Sequence, residues 1–214
     1  CWQHGSKLDF QGKYYRHTLM TPMFNPGPNP YGIPPIMLGA LGPKMTELAG
    51  EVADGLIVHP FNSMPFLEEK ALPAVKRGLE KSGRSLNDFT LQVNAIIITG
   101  ETEEEYLAAE NSVKSLLGFY ASTPAYAPPM EAVGLGELQP KMNRLSKEGK
   151  WDELASYVDE HFLDAFCTRG KPEEIAGKLK QKYGHYADRL AIYAPYAAAD
   201  DMWAKIIREL KSAA

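Results

Sequence analysis

Four short, almost wholly apolar runs, each leading into a segment of helical periodicity, restrict this chain more than any other feature. They are Ile36-Met37-Leu38-Gly39-Ala40, Leu56-Ile57-Val58-His59, Leu91 to Ile98, and Arg189-Leu190-Ala191-Ile192-Tyr193-Ala194. A strand covered on one face alternates apolar and polar residues; a continuous apolar run marks a strand covered on both. Behind the first run, Lys44 to Ala53 puts Met45, Leu48, Ala49, Val52 and Ala53 on one predicted helix face, with Pro43 suited to the helix start. Behind the second, Ser63 to Ser82 reads as a helix with Pro65 near its start, and Pro73 should kink or split it. Behind the third, Thr102-Glu103-Glu104-Glu105 forms a capping box, and Tyr106, Ala109, Val113, Leu116, Leu117 and Tyr120 make the stripe of a long helix.

A helical excursion over residues 123–186 then delays the fourth strand. In it Trp151, Leu154, Ala155, Val158, Phe162, Ala165 and Phe166 recur at helical spacing, as do Ile175, Ala176, Leu179 and Tyr183 after Pro172. Met202, Trp203, Ile206, Ile207 and Leu210 mark a closing helix. Four buried strands, each followed by helix, imply an α/β fold with a parallel sheet and right-handed crossovers. Four such units make half of a (β/α)₈ TIM barrel. The expected organisation is one domain. Residues 1–34 hold a hairpin and a proline-rich loop, 35–122 three βα units, 123–186 the helical insertion, and 187–214 the last strand and helix.

The chain opens on Cys1, and its first residues read as the tail of an earlier element, so the expectation is a fragment or a trimmed chain, with a tag-cleaved complete protein as the alternative. A half barrel should leave unpaired edges on its first and last strands and an apolar face uncovered. Alone, it is expected to be unstable or to close by dimerising. A net charge of -4 without any basic run argues against a nucleic-acid partner. Cys1 and Cys167 lie outside any CxxC or Cys/His group and read as two reduced thiols. With no apolar segment of membrane length or signal-peptide form, the expected location is the cytoplasm.

In parallel α/β sheets ligands gather beyond the carboxyl ends of the strands. The first such position carries Gly39-Ala40-Leu41-Gly42-Pro43-Lys44, a glycine turn into a helix start. Backbone amides and the helix terminus there can hold a phosphate, with Lys44 adding charge; a tight turn also needs glycine on its own account. The sequence matches neither GxGxxG nor GxxxxGK[ST]. After the second strand stands His59, able to hydrogen-bond a ring edge or to exchange protons near neutral pH, or simply a packed residue. His4, His17, His59, His161 and His185 are widely spaced, so no metal site is expected. That leaves a metal-dependent barrel hydrolase without its ligand cluster, and the absence of GxSxG leaves a serine hydrolase without its elbow. Glu103-Glu104-Glu105 and Glu173-Glu174 read as helix caps.

Pro34-Pro35-Ile36 through Gly55, reading PPIMLGALGPKMTELAGEVADG, resembles the luciferase-like monooxygenase superfamily, as does the upstream Phe10-Gln11-Gly12-Lys13-Tyr14-Tyr15. His59-Pro60-Phe61, Gly83-Arg84, Thr99-Gly100-Glu101-Thr102 and Phe119-Tyr120-Ala121-Ser122-Thr123-Pro124 are similar to its branch that uses the deazaflavin coenzyme F420. The resemblance implies the C-terminal half of a luciferase-like barrel with a helical insertion before its last strand. It implies hydride transfer between reduced F420, or alternatively FMN, and a small organic substrate, with monooxygenation open to a true flavin. The cofactor phosphate would lie against Gly39, Ala40, Gly42, Pro43 and Lys44. Because the family's first four strands supply most acid/base candidates, no catalytic residue is assigned, and His59 is the one candidate to test. The partner implied is the missing N-terminal half, with a homodimer as the alternative. The competing function is a non-catalytic barrel fragment or pseudoenzyme that binds a phosphate ligand or a partner subunit.

Overall fold

The computed structural model describes residues 1–212. They form two compact units, Cys1–Ile36 and a larger one from Met37 onward. In the first, β1 (Phe10–Gln11) and β2 (Arg16–His17) pair antiparallel around Gly12, and the proline-rich stretch that follows forms neither long helix nor strand. Gln3 and Asn29 exchange two hydrogen bonds of 3.0 Å that tie its ends together.

The second unit is built on a sheet in which every pairing is parallel. In chain order it runs β3 (Met37–Ala40), α1 (Pro43–Val52), β4 (Gly55–Val58), α2 (Met64–Phe66), α3 (Leu72–Lys81) and β5 (Thr90–Ile98). Then come α4 (Glu103–Ala121), α5 (Ala127–Glu131), α6 (Leu138–Lys147), α7 (Trp151–Leu154) and α8 (Glu160–Phe166). The chain closes with β6 (Cys167–Arg169), α9 (Pro172–Tyr183), β7 (Arg189–Tyr193) and α10 (Asp200–Lys211). The four expected strands are β3, β4, β5 and β7. The order is β3-β4-β5-β6, with β7 also on β5: β7 pairs with Gln92–Ile96 and β6 with Ile96–Ile98. β6 is a strand that helical periodicity hid. It is only three residues long and lies inside the stretch expected to be helical.

Register sorts the side chains. Leu38, Leu56 and Leu91 share one row, Ala40, Val58, Val93 and Leu190 the next, Ala95 and Ile192 a third. All lie on one face and pack with Ala49 of α1, Val75 and Leu79 of α3, Ile175 and Leu179 of α9, and Met202 and Ile206 of α10. On the opposite face stand Gly39, Ile57, Gln92 and Arg189 in one row and Asn94 with Ala191 in another. None of these six is buried. The expected uncovered apolar face is therefore mixed, with an amide pair, Gln92 Nε2 to Asn94 Oδ1 at 3.3 Å, on it. Farther along that face, Ile96 and Ile98 enter a second core with Ala109, Val113 and Leu117 of α4 and Phe162 and Phe166 of α8.

Helix α1 corrects its predicted orientation. Of the predicted face Ala49 and Ala53 are buried, together with Thr46 and Gly50, while Met45, Leu48 and Val52 are exposed. The reason is its close approach to α3. A methyl group on Gly50 would strike the Val75 carbonyl, and one on Gly78 the Glu47 carbonyl, so the glycine face turns inward. Arg84 locks the pair, donating to the carbonyls of Gly50 at 2.7 Å and Ala53 at 2.8 Å, the orphan acceptors at the end of α1. Pro73 does not split its helix: residues 64–81 stay helical throughout, and the turn Leu67–Ala71 just before the proline widens to π-helix. The apolar repeat from Trp151 to Phe166 is broken, because Val158 is extended and Asp159 starts α8 afresh by accepting from Phe162 N–H at 2.9 Å.

Two lysines of α9 close one sheet margin. Lys182 Nζ donates to the Cys167 carbonyl and Lys178 Nζ to the Arg169 carbonyl, both at 2.9 Å. These carbonyls, two residues apart, point the same way from β6. Burial lowers the Lys182 pKa and raises that of the Cys167 thiol to about 12. No helix among the described residues is long and apolar enough to cross a membrane.

Replacing Gly78 with Ala is expected to force α1 and α3 apart and cost about 1–3 kcal/mol of stability, read from the denaturant midpoint. An unchanged midpoint would contradict the close approach.

Candidate functional site

Parallel registration brings the ends of β3 and β4 together at one pole. Ala40 pairs with Val58, so the glycine turn and His59 emerge side by side, on strands about 4.8 Å apart. The turn is open. Gly39, Gly42, Pro43 and Lys44 are exposed and Ala40 is half-buried. Gly39 and Gly42 do not have positive φ, and a Cβ added to either would meet nothing within 4 Å. Neither backbone conformation nor packing within this chain therefore requires glycine there. What the two glycines leave is room against the backbone.

The helix that follows the turn is uncapped: Gly42 is the N-cap, no side chain accepts from the first-turn amides, and the first turn holds no acidic residue. Pro43 has no amide, and Thr46 Oγ1 donates backward to the Gly42 carbonyl at 3.0 Å. The N–H groups of the first turn are left pointing out with the positive end of the helix dipole behind them. Helix α4 shows the contrast. Its Thr102 accepts from Glu105 N–H at 3.2 Å, and Glu103, Glu104 and Glu105 already fill its first turn with negative charge. Of these two helix starts, only that of α1 leaves its first turn without a side-chain cap and without acidic charge.

His59 is packed among aromatic rings. Its ring lies 4.7 Å from that of Tyr126 and 5.1 Å, edge to face, from that of Tyr120. The Phe61 amide donates to Nδ1 at 3.1 Å, and Nε2 lies 3.2 Å from Tyr126 Oη. A backbone amide can only donate, so the neutral imidazole carries its proton on Nε2 and donates it to Tyr126. Burial holds the His59 pKa below the ordinary histidine value. Tyr120 Oη lies 3.2 Å from Tyr193 Oη at the end of β7, and burial, then that hydrogen bond, raises its pKa. At the end of β5, Tyr196 Oη accepts from Thr99 N–H at 3.2 Å and donates to the Ile97 carbonyl at 3.0 Å. Asn62 Oδ1 is buried without a hydrogen-bond partner.

Gly39, Ala40, Gly42, Pro43, Lys44 and His59 thus lie at one pole. Sequence reasoning did not assign Tyr126, Tyr120 and Tyr193 to it. Tyr126 stands 67 residues from His59, and only the stripe position of Tyr120 hinted at an inward ring. Among the described residues no group of three or more potential metal-ligating side chains occurs.

A family model described as luciferase-like monooxygenase matches residues 1–189. An uncharacterized protein of Mycobacterium tuberculosis is 41% identical over 190 residues, 89% of this chain and 56% of that protein. A 5,10-methylenetetrahydromethanopterin reductase of Archaeoglobus fulgidus is 26% identical over 184 residues, 83% of this chain and 52% of that protein. Among solved structures, the coenzyme F420 dependent tetrahydromethanopterin reductase from Methanopyrus kandleri superposes with a TM-score of 0.70 at 20% identity, covering 99% of this chain and 58% of that one. The chain spans about half the length of the relatives it matches.

The lowered His59 pKa carries a sign. Below about 6.5, the ordinary histidine value, the unfolded chain takes up a proton more readily than the folded one. This contribution to stability is therefore complete above that pH and is lost as pH falls toward the lower folded value. The melting temperature of His59→Gln is expected to fall less between about pH 7 and about pH 5 than that of the parent protein. Parallel melting curves would contradict it.

Proposed function

Since the chain belongs to the luciferase-like monooxygenase family, we propose that it is the part of an oxidoreductase that anchors a reduced deazaflavin, coenzyme F420, for hydride transfer to or from a small organic substrate. FMN is the alternative cofactor. The observation that carries this reading is the uncapped first turn of α1 behind two glycines that nothing among the described residues requires. Amides near Gly42 would hold the cofactor phosphate, Lys44 would add a point charge, and the bare Gly39 backbone would let the cofactor lie on the open face of the sheet. When bound, the cofactor supplies the redox chemistry; these residues bind and orient it.

Activity is proposed for the assembled barrel. β3 lies at one end of the sheet, and beside it α1 exposes Met45, Leu48 and Val52. Ile207 and Leu210 of α10 line a cleft along β7. Apolar rows beside both of these strands suit a partner made of further βα units, an N-terminal part such as the added length of the relatives could supply. A second copy of this chain is the alternative.

Gly42→Asp separates cofactor binding from folding. Its carboxylate would cap α1 and stabilise the helix by about 0.5–1 kcal/mol, while occupying the amides meant for phosphate. Fluorescence titration of the full-length protein is expected to show at least a tenfold loss of F420 or FMN affinity with the melting temperature held or raised. Unchanged affinity would overturn the assignment of the turn.

A further inference from the structure

We infer that Tyr126, held by His59, hydrogen-bonds the hydroxyl groups of a polyol chain linking an anion on the α1 turn to a ring over the sheet. This rests on the proposed cofactor reading and adds a subsite to it. FMN and the deazaflavin share that chemistry: a ribityl chain lies between phosphate and ring in both.

The register gives the path. β3 ends the sheet order and β4 is its neighbour, so a ligand anchored at the β3 turn and reaching over the sheet first crosses the end of β4. Ala40 opposite Val58 puts the next residues out, Leu41 and His59, across from each other, about 4.8 Å apart by strand spacing. The polyol section of such a ligand is what this distance reaches.

The hydrogen-bond count gives the chemistry. Phe61 N–H occupies His59 Nδ1 at 3.1 Å, which leaves Nε2–H to donate to Tyr126 Oη at 3.2 Å. A phenol that accepts from the imidazole keeps its own O–H to give, and no acceptor for it stands among the hydrogen bonds of the described residues. The pair is surrounded by the rings of Tyr120 and Phe61, and neither His59 nor Tyr126 forms a salt bridge. With no cation paired to either side chain, an anion in these aromatic surroundings would be desolvated without a counter-charge, so the donor suits a neutral oxygen better than a phosphate or carboxylate. At the same strand end the buried Oδ1 of Asn62 lacks a donor, and hydroxyl groups can both accept and donate. His59 acts here as a positioning residue, fixing the direction in which Tyr126 points.

The test uses the full-length protein and five probes: F420, FMN, riboflavin (polyol without phosphate), lumiflavin (ring without polyol) and inorganic phosphate. Tyr126→Phe removes one oxygen and is expected to weaken F420, FMN and riboflavin about fivefold to tenfold, leaving lumiflavin and phosphate unchanged. His59→Gln, which can still donate to Tyr126, should retain most of the affinity, whereas His59→Phe should match Tyr126→Phe. Nitrogen-15 NMR of the imidazole should report the Nε2–H form at neutral pH. An equal loss for lumiflavin would move Tyr126 to the ring and overturn the inference. So would unchanged affinity for every probe, or an Nδ1–H imidazole. A parent protein that binds neither F420 nor FMN would instead sink the cofactor reading, and this inference with it. Circular dichroism identifies any variant that fails to fold, in which case the remaining variants and the tautomer decide.

Discussion

Parallel strand registration is the constraint on which the rest of this structure depends. Once Ala40, Val58, Val93 and Leu190 share a row, the period-two alternation of strands fixes everything beside them. One set of side chains is committed to the helices, and the other to an uncovered face. A slip of one residue in β4 would bury Ile57 among the helices and turn Val58 outward. It would also carry His59 away from the aromatic rings. The site thus inherits its placement from the core, because Gly39 and Ala40 lie in the ladder and His59 follows its last pair.

Much of this architecture was legible in the residues. The apolar run of β4, the Ala95-Ile96-Ile97-Ile98 end of β5 and the capping box at Thr102 are local signals, and each appeared where its chemistry places it. The resemblance carried by Pro34 through Gly55 agrees with the family match. What stayed hidden was non-local. On α1 the apolar residues Met45, Leu48 and Val52 suggested one buried face, yet Gly50 and Gly78 permit a backbone approach that favours the other. Periodicity counts apolar side chains and does not register the absence of one. β6 was lost for another reason: Cys167-Thr168-Arg169 has no strand pattern and becomes a strand because the long β5 offers Ile96–Ile98 to pair with.

The candidate site was legible in part. The glycine turn and His59 could be chosen because a parallel sheet specifies where its ligands bind. Which function the glycines serve could not be chosen, since a tight turn and a ligand cradle are written with the same residue. The dihedral angles and the empty space beside Gly39 and Gly42 show that the turn itself does not require them; the cradle is the proposed reading. The role of His59 likewise depended on Phe61 and Tyr126, which together set its tautomer. Histidine alone leaves its tautomer open; its hydrogen-bond partners select one.

The lysines over β6 have a consequence beyond packing. A strand margin with bare carbonyls is a template on which other chains can grow cross-β ladders. Lys178 and Lys182 occupy those acceptors with ammonium groups, so that border rejects intermolecular pairing. Acylation of the two amines would remove those donors and leave the Cys167 and Arg169 carbonyls bare at that border.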